Sequence, residues 1–158
     1  MKNEPGRVEE ALKAAVHAVA LGETEDLLKA ELLELLGRSE EAHTSLSEAL
    51  EKEPANAEIR AQLVLLQHQA GNPEAAFEIL AEAPAGAWEG PALHLQKGRL
   101  ILAEADRYRD GTGDRDRELL SEADLAFETA LEVDRESGVG WLGKARIQRM
   151  LKDYSEAQ

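Results

Sequence analysis

Small side chains recur in this sequence at a fixed spacing, and that spacing limits the folds open to the chain. Ala42, Leu46 and Ala49 form a triplet whose two alanines lie seven residues apart. A second triplet begins 34 residues later at Ala76, and a third begins at Ala123. A period of this length is typical of arrays in which one helical pair stacks on the next. We therefore predict an all-α fold built from stacked antiparallel helix pairs.

The charge balance restricts the classes of partner. Thirty-two acidic and 18 basic residues give the chain a net charge of −14. Such a chain repels nucleic acid and anionic membrane surfaces unless a local basic patch overrides the repulsion. No apolar run reaches the ~18 residues that a membrane span requires. We therefore expect a protein or peptide partner, no nucleic acid and no membrane insertion.

The sequence says little about the cellular compartment. Cysteine is absent, which removes disulfides, thiolate metal sites and cysteine nucleophiles. The first residues lack the basic start and the apolar core of a signal peptide. We expect a cytoplasmic protein, or a periplasmic one if a signal peptide has been removed. Gln158 falls inside a helical pattern, so we expect the natural chain to continue beyond it.

Turn and capping residues divide the chain into helices. Pro5 precedes a first amphipathic helix that ends at Gly22. Ser39 and Asn56 each precede an apolar periodic run and are predicted to be N-caps. Near the end of the chain, residues 153–156 have the sequence DYSE. This sequence is typical of a capping box, so we predict that a final helix starts there.

These spacings resemble those of the tetratricopeptide repeat family, whose unit of about 34 residues is a helix-turn-helix. The family has small residues at three positions of the unit. The eighth position is occupied here by Ala30, Val64, Gly98 and Ala145, the twentieth by Ala42, Ala76, Ala123 and Ala157, and the twenty-seventh by Ala49, Ala83 and Ala130. The resemblance covers about residues 23–158 and implies a right-handed α-solenoid of about 3.5 repeats.

The resemblance also implies how one domain, residues 1–158, is divided. An N-terminal capping helix occupies residues 5–22. Three repeats follow at residues 23–56, 57–90 and 91–137, and a fourth starts at residues 138–158.

A loop with a tryptophan interrupts the second repeat. Pro84 ends a helix early, and Pro91 starts the next one. Trp88 lies between them. Two interpretations are open: the indole fills the gap left by the shortened helix, or it is an exposed anchor for a partner, a role for which tryptophan is favoured.

The third repeat contains thirteen extra residues, around Asp106–Glu118. Apolar spacing continues on both sides of this segment, so we predict two lengthened helices joined by residues 110–113. The predicted tip is polar and is interpreted as a spacer or contact lobe. It does not match a calcium loop, because Arg115 stands where that motif needs glycine.

In the resembled family, the first helix of each repeat lines a concave groove. Carried over to this chain, the resemblance implies an acidic and apolar first half of the groove and a second half that contains three arginines. The binding residues that we select from it are Leu65, His68, Leu95, Arg99, Leu102, Leu142, Arg146, Arg149 and Met150. Such a groove suits an amphipathic helix or an extended peptide that carries apolar residues and carboxylates. The alternative is that the arginines pair with neighbouring glutamates and that a further repeat covers Met150.

No catalytic motif is recognisable in the sequence. If first helices run parallel as in the family, His68 and His94 are separated by ~12 Å along the helix axis, too far for one zinc ion. We expect no metal, no cofactor and no enzymatic activity. The first hypothesis is an adaptor, assembly or chaperone-like scaffold that binds a peptide or helix. The alternative is a self-association module, forming a homo-oligomer, or a regulatory or structural part of a larger protein.

Overall fold

Eight α-helices make up the described part of the chain, which comprises residues 5–20, 26–107 and 114–156 of a computed structural model. The prediction of an all-α fold is confirmed, since no strand occurs among these residues. The helices are α1 (Pro5–Ala20), α2 (Asp26–Leu35), α3 (Ser39–Lys52), α4 (Ala57–Gln69), α5 (Pro73–Ala81), α6 (Pro91–Arg107), α7 (Asp114–Val133) and α8 (Gly138–Glu156), with a 3₁₀ turn at Ala85–Trp88.

The helices form a solenoid of two layers. Consecutive helices pack together as the pairs α2 with α3, α4 with α5 and α6 with α7. Helices α2, α4, α6 and α8 also contact one another in that order, so they form one layer, while α3, α5 and α7 form the other. Helix α1 packs against α2. Each pair therefore contacts mainly its neighbours, as expected for a repeat protein.

Three groups of buried apolar residues form the core, and neighbouring groups share a helix. The first lies between α1 and α4, the second between α4 and α6 with the 3₁₀ turn, and the third between α6 and α8. Helix α4 contributes Leu63 to the first group and Val64 to the second. Helix α6 contributes Leu100 to the second and Ile101 to the third. Burial is thus continuous along the solenoid.

The repeated alanines occupy the contacts between helices. The members of this set that are buried are Ala42, Ala49, Ala76, Ala123 and Ala130. Ala83 differs, because α5 ends at Ala81 and leaves this residue half-buried beyond the helix. Ala157 lies outside the described residues.

The closest approach of helices is centred on Phe127 in α7, whose side chain is 1% exposed. A Cβ atom added to Gly98 of α6 would lie 2.9 Å from the Phe127 ring. A Cβ atom added to Gly143 of α8 would lie 2.4 Å from the same ring. Both distances are too short for a real side chain. The ring therefore fills the space between α6 and α8 only because both neighbours are glycine.

The prediction that Ala145 is a small residue at a contact between helices is wrong. Ala145 is exposed, and Gly143 makes the contact with Phe127 instead. Helix α8 packs through one face, which contains Gly140, Gly143, Ile147 and Met150. Ala145 lies on another side of α8, where no described helix packs against it.

Two predicted helix starts are also wrong. Helix α8 continues without interruption through residues 153–156, so these residues do not cap a new helix. Ser39 is the first residue of α3 and not its N-cap; the capping position is Arg38, whose guanidinium pairs with Glu41 at 2.6 Å. The prediction for Asn56 is confirmed, since its side-chain oxygen accepts a hydrogen bond from the Ile59 amide at 3.2 Å.

Glycines end two of the helices in the same way. Gly37 and Gly71 follow α2 and α4 and have φ angles of 74° and 81°, a region that favours glycine. The amide of Gly37 donates to the Glu34 carbonyl, and the amide of Arg38 donates to the Leu33 carbonyl. This pair of bonds is a Schellman motif, which satisfies carbonyls at the end of the helix. Equivalent bonds surround Gly71.

The lengthened helices predicted around the insertion are present as α6 and α7. The residues predicted to join them, 110–113, lie outside the described residues. Ala105 and Leu120 are buried in the third core group, and Asp116 is fully buried. The described residue Asp116 of the insertion is therefore enclosed by the protein.

A buried arginine joins two successive pairs. Arg60 in α4 is 5% exposed and donates to the carbonyl of Ile79 at 2.8 Å and to that of Pro54 at 3.0 Å. Ile79 lies in the last turn of α5, where carbonyls lack helical partners and the helix dipole favours a cation. Burial lowers the pKa of Arg60, and the nearby Glu82 partly opposes this effect. Arg60 thus connects the loop after α3 to the end of α5.

We predict that Gly143→Ala destabilises the protein by about 1–3 kcal/mol, because the added methyl group overlaps the Phe127 ring. Gly138→Ala is the matched control in the same helix, since a Cβ atom there would have no heavy atom within 4 Å. We expect it to be neutral or slightly stabilising. Chemical denaturation of both variants measures the difference. Equal midpoints would contradict the proposed contact.

We predict that Arg60→Met destabilises the protein by about 2–4 kcal/mol, because two carbonyls lose a charged hydrogen-bond donor while the aliphatic volume is kept. Arg60→Lys should recover part of this loss. Arg38→Met, at an exposed position, serves as the control and should change the unfolding midpoint little. If the buried and exposed arginine variants unfold at the same denaturant concentration, Arg60 does not connect the pairs.

Candidate functional site

The layer formed by α2, α4, α6 and α8 presents the surface on which the predicted binding residues were placed. We call this surface the groove face and define it by Glu31 and Glu34 of α2, His68 of α4, Arg99 and Arg107 of α6, and Arg149 of α8. The four helices contact one another in the order α2, α4, α6 and α8, so these residues belong to one layer. Its charge changes sign along the solenoid.

The cationic part of the groove face lies beside His68, in the last turn of α4. Burial lowers the pKa of His68, and the positive charges of Arg107 and Arg99 lower it further. The Nδ1 atom of His68 is buried and has no hydrogen-bond partner among the described residues. Two helices therefore bring one imidazole and two guanidinium groups close enough to interact electrostatically.

Arg107 is a site residue that the sequence analysis assigned to the insertion. Its guanidinium lies 3.8 Å from the Glu104 carboxylate, and both side chains are partly exposed. Arg107 follows Arg99 by eight residues on α6, and this separation places them on the same side of a helix. That spacing was the signal that could have found it.

Arg146 is held by an ion pair that the sequence did not specify. Its Nη2 atom donates to the Asp106 carboxylate, which joins α8 to α6. For this residue, the structure agrees with the alternative interpretation, in which arginines pair with neighbouring acids. Arg99 and Arg149 have no ion-pair partner in the described part of the chain. They are the predicted arginines whose charges remain open to a ligand.

The predicted apolar residues of the groove fall into three classes. Leu102 and Met150 are 4% and 3% exposed, because both pack in the core group between α6 and α8. Their placement in the groove is therefore corrected, since they offer no surface to a partner. Leu65 and Leu95 are half-buried, and Leu142 is 72% exposed.

Acidic residues form the other end of the groove face. Glu31, Glu34 and Leu35 line a shallow cleft of about 470 Å³ with Ser39 and Gln69. Gln62 of α4 donates to the Glu34 carboxylate at 3.1 Å and so fixes this end to the neighbouring helix. The surface thus runs from carboxylates on α2 to cations on α6 and α8.

Trp88 lies beside the layer and not on the groove face. Its half-buried side chain packs against the second core group, and its ring contacts the His94 ring edge-on at a centroid distance of 5.1 Å. His94 Nε2 also donates to the Trp88 carbonyl at 3.0 Å. These contacts favour the interpretation in which the indole fills the gap left by the short α5.

The described residues lack the features of a metal site and of a membrane span. They contain no group of three or more histidine, cysteine, aspartate or glutamate side chains arranged to hold a metal ion. None of their helices combines the length and the hydropathy that crossing a membrane requires.

The family comparison identifies the repeats. Residues 33–97, from the end of α2 to the middle of α6, match the family model of the tetratricopeptide repeat. This segment of the chain is similar to tetratricopeptide repeats. No curated protein and no solved structure matches the chain significantly.

Tetratricopeptide repeats generally mediate interactions between proteins, and the family is typically non-catalytic. The matched segment includes His68 and Leu95, and Arg99 follows it by two residues. The cationic part of the groove face therefore lies at the end of the segment that the family model recognises.

We predict that this protein loses stability as the pH falls below about 6.5, the usual pKa of histidine. The folded state lowers the pKa of His68, so below pH 6.5 the unfolded chain binds a proton that the folded chain does not, and protonation favours unfolding. His68→Gln should reduce the loss. Denaturant unfolding at pH 7.5 and 5.5 measures it, and an equal loss in both proteins would refute the assignment to His68.

Proposed function

We propose that this protein is a non-catalytic scaffold that binds a segment of a partner protein on its groove face. The observation that carries the proposal is the cluster of the Arg99 and Arg107 guanidinium groups beside the His68 imidazole, in a chain whose net charge is −14. Like charges placed close together cost free energy in the absence of a ligand. An arriving carboxylate offsets that cost, so the cluster favours acidic ligands.

The charge change along the groove face gives the bound segment a direction. Carboxylates of the ligand would meet Arg99, Arg107 and Arg149, and its basic or polar residues would meet Glu31 and Glu34. Leu95 and Leu142 offer apolar contacts between or beside the arginines. An amphipathic helix or an extended peptide with apolar and acidic residues has this chemistry. The cellular role would be that of an adaptor, an assembly factor or a chaperone-like protein.

We predict that Arg99→Glu combined with Arg149→Glu abolishes capture of the acidic partner. Neither arginine has an ion-pair partner among the described residues, so the reversal removes attraction to the ligand without breaking an internal pair. Thermal stability should change by less than about 1 kcal/mol, as is usual for surface substitutions. The measurement is quantitative capture of interacting proteins from a lysate by immobilised wild type and variant.

The matched control reverses two basic residues outside both candidate surfaces, Arg117→Glu with Lys52→Glu, and makes the same change in net charge. Both positions are exposed. Loss of the same bound proteins from both double variants would show a general charge effect and would contradict the proposal. Sedimentation at two protein concentrations separates partner binding from the alternative of self-association, which would shift with concentration.

A further inference from the structure

A second surface with apolar side chains lies on the exposed side of α7 and the start of α8. Leu125 of α7 is 62% exposed, and Trp141 of α8 is 56% exposed. Val133, at the end of α7, is also more than half exposed. Exposed residues of this size concentrate at sites of protein interaction when they lie together and are bordered by polar groups. We call this surface the α7–α8 edge.

A cleft of about 340 Å³ lies beside the Trp141 ring, near the lower limit of 300–1,000 Å³ that is typical of ligand pockets. Leu131, which is buried and packs against Gly140, forms its floor. Glu128, Glu132, Arg135 and Lys144 contribute its rim. The indole Nε1 of Trp141 donates to the Arg135 carbonyl at 2.8 Å. This bond fixes the orientation of the ring, so its exposed part is a preformed wall of the cleft.

Two cations, Arg135 and Lys144, border the cleft together with Glu128 and Glu132, and the neighbouring surface of α7 adds the carboxylates of Glu122 and Asp124, so negative charges are more numerous. Asp124 is paired with Lys144 at 2.9 Å, and Glu122 is paired with Lys97 at 3.1 Å. Glu128 and Glu132 form no ion pair with any described residue. Glu128 also borders a second cleft, of about 510 Å³, along Leu125. The apolar side chains therefore lie next to carboxylates whose charge is not balanced within the described chain.

We propose that the α7–α8 edge docks a basic amphipathic helix of a partner protein. Glu128 and Glu132 are one helical turn apart, about 6 Å along α7, which matches lysines or arginines one turn apart on a facing helix. An apolar side chain of that helix enters the cleft beside Trp141, and a second packs on Leu125. A second copy of this chain suits the edge less well, because two chains of charge −14 repel each other.

The edge lies on the side of α8 that contacts α7. Trp141 and Lys144 turn towards α7, as their contacts with Arg135 and Asp124 show. Arg146 turns towards α6, where it pairs with Asp106. Helix α8 thus presents Trp141 and Lys144 towards α7 and Arg146 towards α6.

The test uses two synthetic amphipathic helices of about 18 residues, one built from leucine and lysine and the other from leucine and glutamate. We expect the lysine peptide to bind wild type and the glutamate peptide not to bind. Trp141→Ala should weaken binding of the lysine peptide at least about tenfold, as expected for a central aromatic anchor. Titration calorimetry measures the affinity. In the NMR spectrum, the indole N–H signal of Trp141 should shift on binding while that of Trp88 does not.

Glu128→Lys with Glu132→Lys should weaken binding by a similar factor. The matched control is Glu48→Lys with Glu51→Lys on the exposed side of α3, which makes the same change in net charge and should stay within about twofold of wild type. Equal weakening by both double variants would overturn the proposal, since general attraction of charge would then explain binding. Unchanged affinity of Trp141→Ala would also overturn it.

Two further variants separate the α7–α8 edge from misfolding and from the groove face. Leu125→Ser removes exposed apolar surface without touching the Trp141 hydrogen bond, so it replaces Trp141→Ala if that variant fails to fold. The groove variant with Arg99→Glu and Arg149→Glu should bind the lysine peptide as wild type does, which separates this proposal from the one for the groove face. A wild-type dimer that Trp141→Ala dissociates would assign the edge to a second copy and would overturn the proposal.

Discussion

The packing of one aromatic ring between two glycines controls the second half of the solenoid. Phe127 occupies the space that side chains at positions 98 and 143 would need, so α6 and α8 both approach α7 closely. This approach brings Arg146 within reach of Asp106 and leaves Trp141 beside the end of α7. The position of both candidate binding surfaces on α8 therefore depends on the absence of two side chains.

The acidic composition is distributed unequally over the surface. Glu128 and Glu132 face outwards from α7 without ion-pair partners in the described chain, whereas His68, Arg99 and Arg107 lie together on the other layer. A net charge alone would suggest one kind of ligand. The uneven distribution of charge instead permits ligands of opposite sign to bind at different places on the surface.

The fold could be predicted from the sequence because small residues recur at the helix contacts of each repeat, as Ala42, Ala76 and Ala123 show. The sequence did not predict contacts that depend on how a helix is rotated about its axis. The repeat spacing predicted that Ala145 contacts a neighbouring helix, but the rotation of α8 about its axis places Gly143 at that contact instead. The burial of Met150 depends on the same rotation, and the Arg146 pair joins residues 40 positions apart. Contacts of this kind are set by packing and not by local spacing.

The sharing of α4 and α6 between core groups has a consequence for cooperativity. If α6 separated from its neighbours, apolar residues of the second and the third group would become exposed together. Local unfolding that involves α6 therefore opens both groups at once. A ligand that touches His68 and Arg149 would span both groups. Its binding energy would then be lost on opening of either one, and it would join neighbouring repeats into a longer cooperative unit.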